Sequence, residues 1–298
     1  MRHRSSRSGF SLVELVTTIA LTGLLAVGFA QLLQHPIRGY AAVSRRAELV
    51  SIADASMRRM ARDLRRALPN SIRIAAGGTA IELLHTQGGA RYRLDPGVND
   101  PGGPAEQDHR ADDDRLGFGG DTRWNVLGRV RNVAFSHGVP LPAGVRIAIY
   151  PTNSSIWARA ANGTNPSPIT PATTRITIVD DGDEDQIQLS ASHRFQHESP
   201  SARLFLVDTP ITYLCDPADG SLWRIDGYSI TSGQPTDPAL APLAGGRASR
   251  AADHVETCRF RYLPGTASRA ALVTLEVVLA EDGERVQLLQ QVQVDNAP

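Results

Sequence analysis

The segment "GFSLVELVTTIALTGLLAVGFAQLL", residues 9 to 33, decides how the rest of the chain is arranged. From Leu15 to Leu33 it contains no charged side chain. As an α-helix, residues 10 to 33 would be about 36 Å long, which is enough to cross the hydrocarbon core of a bilayer. The sequence therefore predicts a membrane-spanning helix at the N-terminus, with the bulk of the chain on one side of the membrane.

The basic residues before this segment predict its orientation. Arg2, Arg4 and Arg7 precede the apolar stretch, and positive charge is retained in the cytoplasm. Residues after position 34 would then lie in the periplasm of a bacterial cell. A secretory signal peptide shares the basic start and the apolar stretch, but "AVGFAQ" around Gly28 matches its small-residue cleavage site only weakly. An ordinary single-pass anchor is also possible.

Glu14 is the residue that neither of these alternatives explains. A carboxylate next to hydrocarbon is costly and usually has a partner. Cleavage between Gly9 and Phe10 would create a cationic α-amine one turn before Glu14, at a helix N-terminus whose dipole also favours negative charge. Glu14 could equally reach the amine of a neighbouring copy if such helices pack side by side.

These residues together resemble the N-terminal signature of type IV pilins and type II secretion pseudopilins. The resemblance implies that residues 1–9 are a leader removed by a prepilin peptidase, and that Phe10 is N-methylated after cleavage at Gly9. It implies that Glu14 pairs with the amine of an adjacent subunit during assembly. The implied partners are the peptidase, other major and minor pilins and the inner-membrane pilus assembly platform. The implied location is the bacterial inner membrane and then the pilus.

Three further stretches, residues 38–73, 213–224 and 288–298, resemble a minor pilin of the mannose-sensitive haemagglutinin (MSHA) pilus system. This resemblance and the large size of the chain suggest a subunit at or near the pilus tip that helps to initiate assembly. A J-like minor pseudopilin of type II secretion shares the same N-terminal features and is the nearest alternative. Another is a tip adhesin that binds carbohydrate or a surface, suggested by Trp157, which we expect to be exposed, and by the loop of residues 152–174.

The expected fold class is α+β, with one long helix packed on an antiparallel β-rich head, as in type IV pilins. Residues 10–35 form the membrane-spanning and assembly helix, and Pro36 predicts a kink or break near His35. Residues 36–68 continue as an amphipathic helix, and residues 69–298 form the periplasmic head. The apolar arc of that helix and the arginines opposite it are Leu49, Ala53, Met57, Met60, Leu64 and Leu68, against Arg58, Arg62 and Arg65.

Alternating segments after Pro69 predict strands. A hairpin turning at Gly77 and Gly78 comes first, and "ARYRLD" is the expected third strand. The remaining candidates are residues 127–135, 144–150, 175–179, 186–190, 202–208, 212–215, 221–226, 257–263, 271–280 and 285–294.

The two cysteines, Cys215 and Cys258, have no metal-binding spacing. Because the head is expected in an oxidising compartment, we predict that they form a disulfide. Closing a loop of about 43 residues would stabilise the fold by roughly 4 kcal/mol in the chain-entropy model.

The sequence offers little chemistry beyond these features. Asp180, Asp181, Asp183 and Asp185 are weak candidates for a calcium site, but their position between two strands is equally typical of a hairpin turn. No catalytic or cofactor motif is recognisable, so we expect a non-enzymatic protein without a cofactor. The arginines of the helix are diluted by acidic residues and have no interleaved aromatics, and the chain has no net charge, so nucleic-acid binding is not expected.

Overall fold

The structure is a computed structural model that describes residues 11–94, 115–265 and 270–294. Gly9 and Phe10 lie outside the described residues. The chain forms one long N-terminal helix followed by an antiparallel β-rich domain. The predicted α+β class is confirmed.

Helix α1, Leu12–Arg65, contains 54 residues and has two very different halves. Residues 11–31 are all exposed, whereas the last turns pack into the head. The helix is continuous through Pro36, so the possible break there is not observed. Its C-terminal half buries the expected apolar arc, because residues three and four apart share one helix face. The buried residues of α1 in this core are Leu49, Ala53, Met57, Met60, Ala61 and Leu64.

The helix ends at Arg65, before Pro69. Leu68 precedes a proline, which disfavours helical dihedrals, and its backbone N–H donates instead to the carbonyl of Leu84. Leu68 is fully buried, but it does not belong to the core formed by α1. It lies in a separate core next to the short helix at residues 156–162. The arginines Arg58, Arg62 and Arg65 are exposed, as expected, although Arg65 borders Leu272 and Gln291 of the C-terminal sheet.

The largest sheet has six strands, which are all antiparallel to their neighbours. Its central strand β7 contains 14 residues and pairs along one edge with β2, and along its other edge with β4 and then β8. The strands of this sheet are β1 (Arg73–Ile74), β2 (Ala80–Arg91), β4 (Arg146–Ala148), β7 (Arg203–Asp216), β8 (Ser221–Asp226) and β9 (Arg247–Ala252).

A second sheet, at the C-terminus, packs against α1. Its order is β10 (Val255–Leu263), β11 (Ala271–Glu281) and β12 (Glu284–Val294). The alternation of β11 places its apolar residues in the same core as the C-terminal half of α1. A disulfide joins Cys215 in β7 to Cys258 in β10, as predicted, and so links the largest sheet to this one.

A third sheet completes the head, in the order β3 (Asp121–Val126), β6 (Glu184–His193) and β5 (Ile176–Asp181). It packs on one end of β2, β4 and β7 around Trp124, in a core separate from that of α1. Helix α2, Ile156–Asn162, covers a third core.

The strand predictions were partly wrong. "ARYRLD" is not a separate strand, because its first residues belong to β2. Residues 127–135 contain no strand, and the two candidates at 202–208 and 212–215 are one strand, β7, that passes through Pro210. Strands β3 and β9 and helix α2 were not predicted.

Candidate functional site

The N-terminal half of α1 is the only candidate membrane-spanning helix among the described residues. It covers Leu12–Gln31, 20 residues with a mean hydropathy of 2.0, and none of it is buried within the chain. At about 1.5 Å per residue its length is about 30 Å, which matches a bilayer core. A mainly apolar helix of this length that packs against no other described residue is typical of a membrane span.

Glu14 lies in the first turn of this helix and its side chain is exposed. Free backbone N–H groups at a helix start favour a carboxylate there. Among the described residues, none makes a hydrogen bond or an ion pair with this side chain, so a positive group from another chain could reach it. The Thr18 and Thr22 hydroxyls donate to carbonyls one turn back in α1, which satisfies these polar groups without a partner helix.

The other half of α1 is fixed to the head by charged hydrogen bonds. The carboxylate Oδ2 of Asp63 accepts one hydrogen bond from the Tyr213 hydroxyl and one from Nε of Arg224, each 2.7 Å long. Arg224 also pairs with Asp226, which Arg247 contacts in turn. Burial raises the pKa of Tyr213 strongly, and the adjacent carboxylate raises it further, so the phenol stays a donor. These contacts join the C-terminal part of α1 to β7 and β8.

The acidic hairpin between β5 and β6 contains the calcium candidates. Its two-residue turn is Gly182 and Asp183, with Gly182 at a φ of 65°, as a hairpin turn with glycine in its first position requires. Asp180 lies directly opposite Asp185, and Asp181 lies directly opposite Glu184. Like charges in such cross-strand positions destabilise a sheet unless they are neutralised.

Arginines neutralise both acidic pairs. Nη1 of Arg129 lies 2.5 Å from Asp180 and 2.8 Å from Asp185. Arg93 pairs with Glu184. Asp181 accepts a hydrogen bond from Asn125. The hairpin is thus a set of ion pairs in which the guanidinium groups supply the compensating charge.

Asp185 is the centre of this cluster and is itself buried. Burial raises its pKa, but hydrogen bonds from Arg129, from the Val130 backbone N–H and from His137 lower it more, so the net pKa lies below its ordinary value. Ligand atoms of His137, Asp180 and Asp185 lie within 4.8 Å of one another, close enough for one cation.

The guanidinium group of Arg129 lies where a calcium ion would bind, and this weakens the calcium hypothesis. Because Arg129 bridges Asp180 and Asp185, a cation would have to displace its guanidinium. The other two candidates do not converge here, since Asp181 is held by Asn125 and Asp183 is exposed at the turn.

Trp157 is buried, contrary to the sequence-based expectation that it is exposed. It lies in α2, its indole N–H donates to the carbonyl of Ser71 at 2.8 Å, and the guanidinium of Arg73 lies 3.8 Å from its ring centre. Arg73 also pairs with the buried Glu82 at 2.7 Å. Trp157 therefore stabilises the junction of α2 with β1 and is not available to a ligand.

Comparison with known proteins does not identify a relative. No family model, no curated protein and no solved structure matches the chain.

Proposed function

We propose that this chain is a minor type IV pilin of the MSHA kind. It is anchored in the bacterial inner membrane with its N-terminus in the cytoplasm, processed by prepilin peptidase, and then built into a pilus at or near the tip. Its partners are other major and minor pilins and the assembly platform. It acts as a structural subunit and not as an enzyme.

The observation that carries this proposal is the contrast between the two halves of α1. The half that contains Glu14 is apolar and unburied, whereas the half from Leu49 onward is part of the core of the head. A simple anchor needs only a flexible connection between its span and its domain. A rigid helix that extends from the head is what side-by-side packing of many subunits requires.

The alternatives differ in how the structure bears on them. A J-like type II secretion pseudopilin would use the same helix in the same way, and complementation of a strain that lacks either system separates the two. The tip adhesin was suggested by Trp157 and its loop. Trp157 does not support that alternative, because it is buried and part of the loop is the packed helix α2.

The proposal is tested by replacing Glu14 with Ala. The variant is expected to be processed at Gly9 like the wild type but to be absent from sheared pili, because its carboxylate would no longer neutralise the amine of a neighbouring subunit. Immunoblots of the membrane and pilus fractions measure both steps.

Glu48→Ala is the matched control. Glu48 is an exposed carboxylate on the same helix but outside the candidate span. The Glu48→Ala variant should be incorporated into pili normally. Normal incorporation of the Glu14→Ala variant would refute the assembly role, and absence of cleavage at Gly9 in the wild type would refute the pilin assignment itself.

A further inference from the structure

A groove lined by arginines lies beside the end of β2 and the start of β7 in the largest sheet. One part, about 470 Å³ in volume, lies between β2, β7 and the segment that follows β3. A second part, about 530 Å³, shares Gly89 and Phe205 with the first and extends toward the end of α1. We call the two parts together the arginine groove. No carboxylate lines either part within the described ranges, and the lining arginines are Arg66, Arg91, Arg129, Arg131 and Arg203.

Strand pairing places three of these arginines on one face. Arg91 and Arg203 are directly opposite each other in the β2–β7 ladder. Arg131 is bridged to Gly89, two residues before Arg91, and residues two apart in a strand point to the same side. Gly88 permits this close approach, since a Cβ at that position would lie 2.6 Å from the carbonyl oxygen of Arg131.

Arg129 is paired with Asp180 and Asp185, but the other arginines of the groove have no carboxylate partner within the described part of the chain. Like charges directly opposite each other destabilise a sheet, and the acidic hairpin of this protein neutralises its two like-charged pairs with arginines. In the groove, Nε of Arg91 donates to the carbonyl of Ser201. Arg131 and Arg203 have no carboxylate within 4 Å among the residues described. An anion bound from outside would remove the repulsion.

The rest of the lining indicates which anion fits. The second part of the groove contains the side-chain amides of Gln87 and Asn132, which make no hydrogen bond to any described residue. The half-buried ring of Phe205 borders both parts. A site for a simple anion needs only the arginines, whereas amides and an aromatic ring beside them suit the hydroxyls and the apolar face of a sugar.

We propose that the arginine groove binds an acidic carbohydrate chain. Arg131 and Arg203 pair with its carboxylate or sulfate groups, Gln87 and Asn132 bind its hydroxyls, and Phe205 packs against a sugar ring. The site lies on the head and not on the apolar part of α1. Its existence therefore does not depend on whether the chain is assembled into a pilus.

The test is a binding titration with the full chain in a non-ionic detergent at low ionic strength. The probes are heparin for sulfate groups, alginate for uronates, dextran as a neutral chain and poly-L-glutamate as an acidic polypeptide. We expect heparin or alginate to bind and dextran not to bind. Poly-L-glutamate should bind at least about tenfold more weakly than the acidic carbohydrate does. Which of the two acidic carbohydrates binds more tightly identifies the anionic group.

Two charge-matched double variants locate the site. Arg131→Ser with Arg203→Ser should weaken binding about tenfold or more, because charge-assisted hydrogen bonds are lost. Arg259→Ser with Arg261→Ser removes the same charge from exposed positions of β10 and should leave affinity unchanged. Equal losses in both variants, equal affinity for poly-L-glutamate, or no binding to either acidic carbohydrate would each overturn the proposal. Thermal melting confirms that both variants are folded.

Discussion

Among the polar positions of α1, Asp63 is the one whose replacement by Ala should most weaken the attachment of the buried C-terminal part of the helix to β7 and β8. The substitution removes both 2.7 Å hydrogen bonds, from Tyr213 and from Arg224. Hydrogen bonds to charged groups contribute about 1.5–3 kcal/mol each. Tyr213 is fully buried and would be left without its acceptor.

Three effects reduce this loss. Arg224 keeps Asp226 as a partner, Ala has a higher helix propensity than Asp, and a carboxylate near a helix C-terminus is unfavourable. We therefore expect the free energy of unfolding to fall by about 2–4 kcal/mol. For a domain of this size that corresponds to a fall in Tm of roughly 4–16 °C.

Asp54→Ala is the control for this experiment. Asp54 is in the same helix, and its side chain is 46% exposed and pairs, among the described residues, only with Arg58 one turn further on. An exposed pair of this kind contributes about 0.3–0.5 kcal/mol, and the gain in helix propensity is the same as at position 63. Thermal unfolding by circular dichroism in detergent measures both variants. If Asp63→Ala lowers Tm no more than Asp54→Ala does, the Asp63 contacts do not hold α1 to the head.

Three other predictions concern the head. Replacing Cys215 and Cys258 with Ala opens a loop spanning 43 residues and should cost roughly 4 kcal/mol in denaturant unfolding; an unchanged midpoint would contradict this. Because the folded pKa of Asp185 is depressed, its stabilising effect should be complete above about pH 5 and be lost as pH falls below about 4. Asp185→Asn should therefore lower Tm at neutral pH and make the loss of Tm on acidification shallower than in the wild type. A fragment that begins at Tyr40 should unfold cooperatively, whereas one that begins at Pro69 lacks the core residues of α1 and should aggregate or show no cooperative melt. A cooperative melt of the shorter fragment would show that α1 is dispensable for the head.

Patterns within one segment were read correctly from the sequence. The apolar span, the buried arc from Leu49 to Leu64 and the strands of the C-terminal sheet all depend on periodicities of a few residues. The pairing of Cys215 with Cys258 also needed no tertiary information, because only two cysteines are present. The residues of the proposed assembly site, Glu14 among them, also form one short motif, and their role in assembly stays a prediction.

Other predictions were wrong because the local sequence pattern indicated one structure and contacts with distant residues produced another. Trp157 is in a segment rich in Asn, Thr and Pro that is typical of an exposed loop, but Ser71 and Arg73 bury it. Strand β9, "RASRAA", has little strand character of its own and is formed by pairing with β8. Residues 127–135 alternate like a strand, yet the stretch contains only one isolated bridge, from Arg131 to Gly89.

The sequence by itself determined the N-terminal helix, its exposed carboxylate and the residues that could enter the core, since hydrophobic periodicity and charge are local properties. Only the tertiary structure decided which charges meet. Asp63 reaches Arg224, Arg129 reaches Asp185, and Arg91 is placed opposite Arg203, through contacts between residues far apart in the chain. Sheet register sets these pairs, and register depends on the packing of the whole domain.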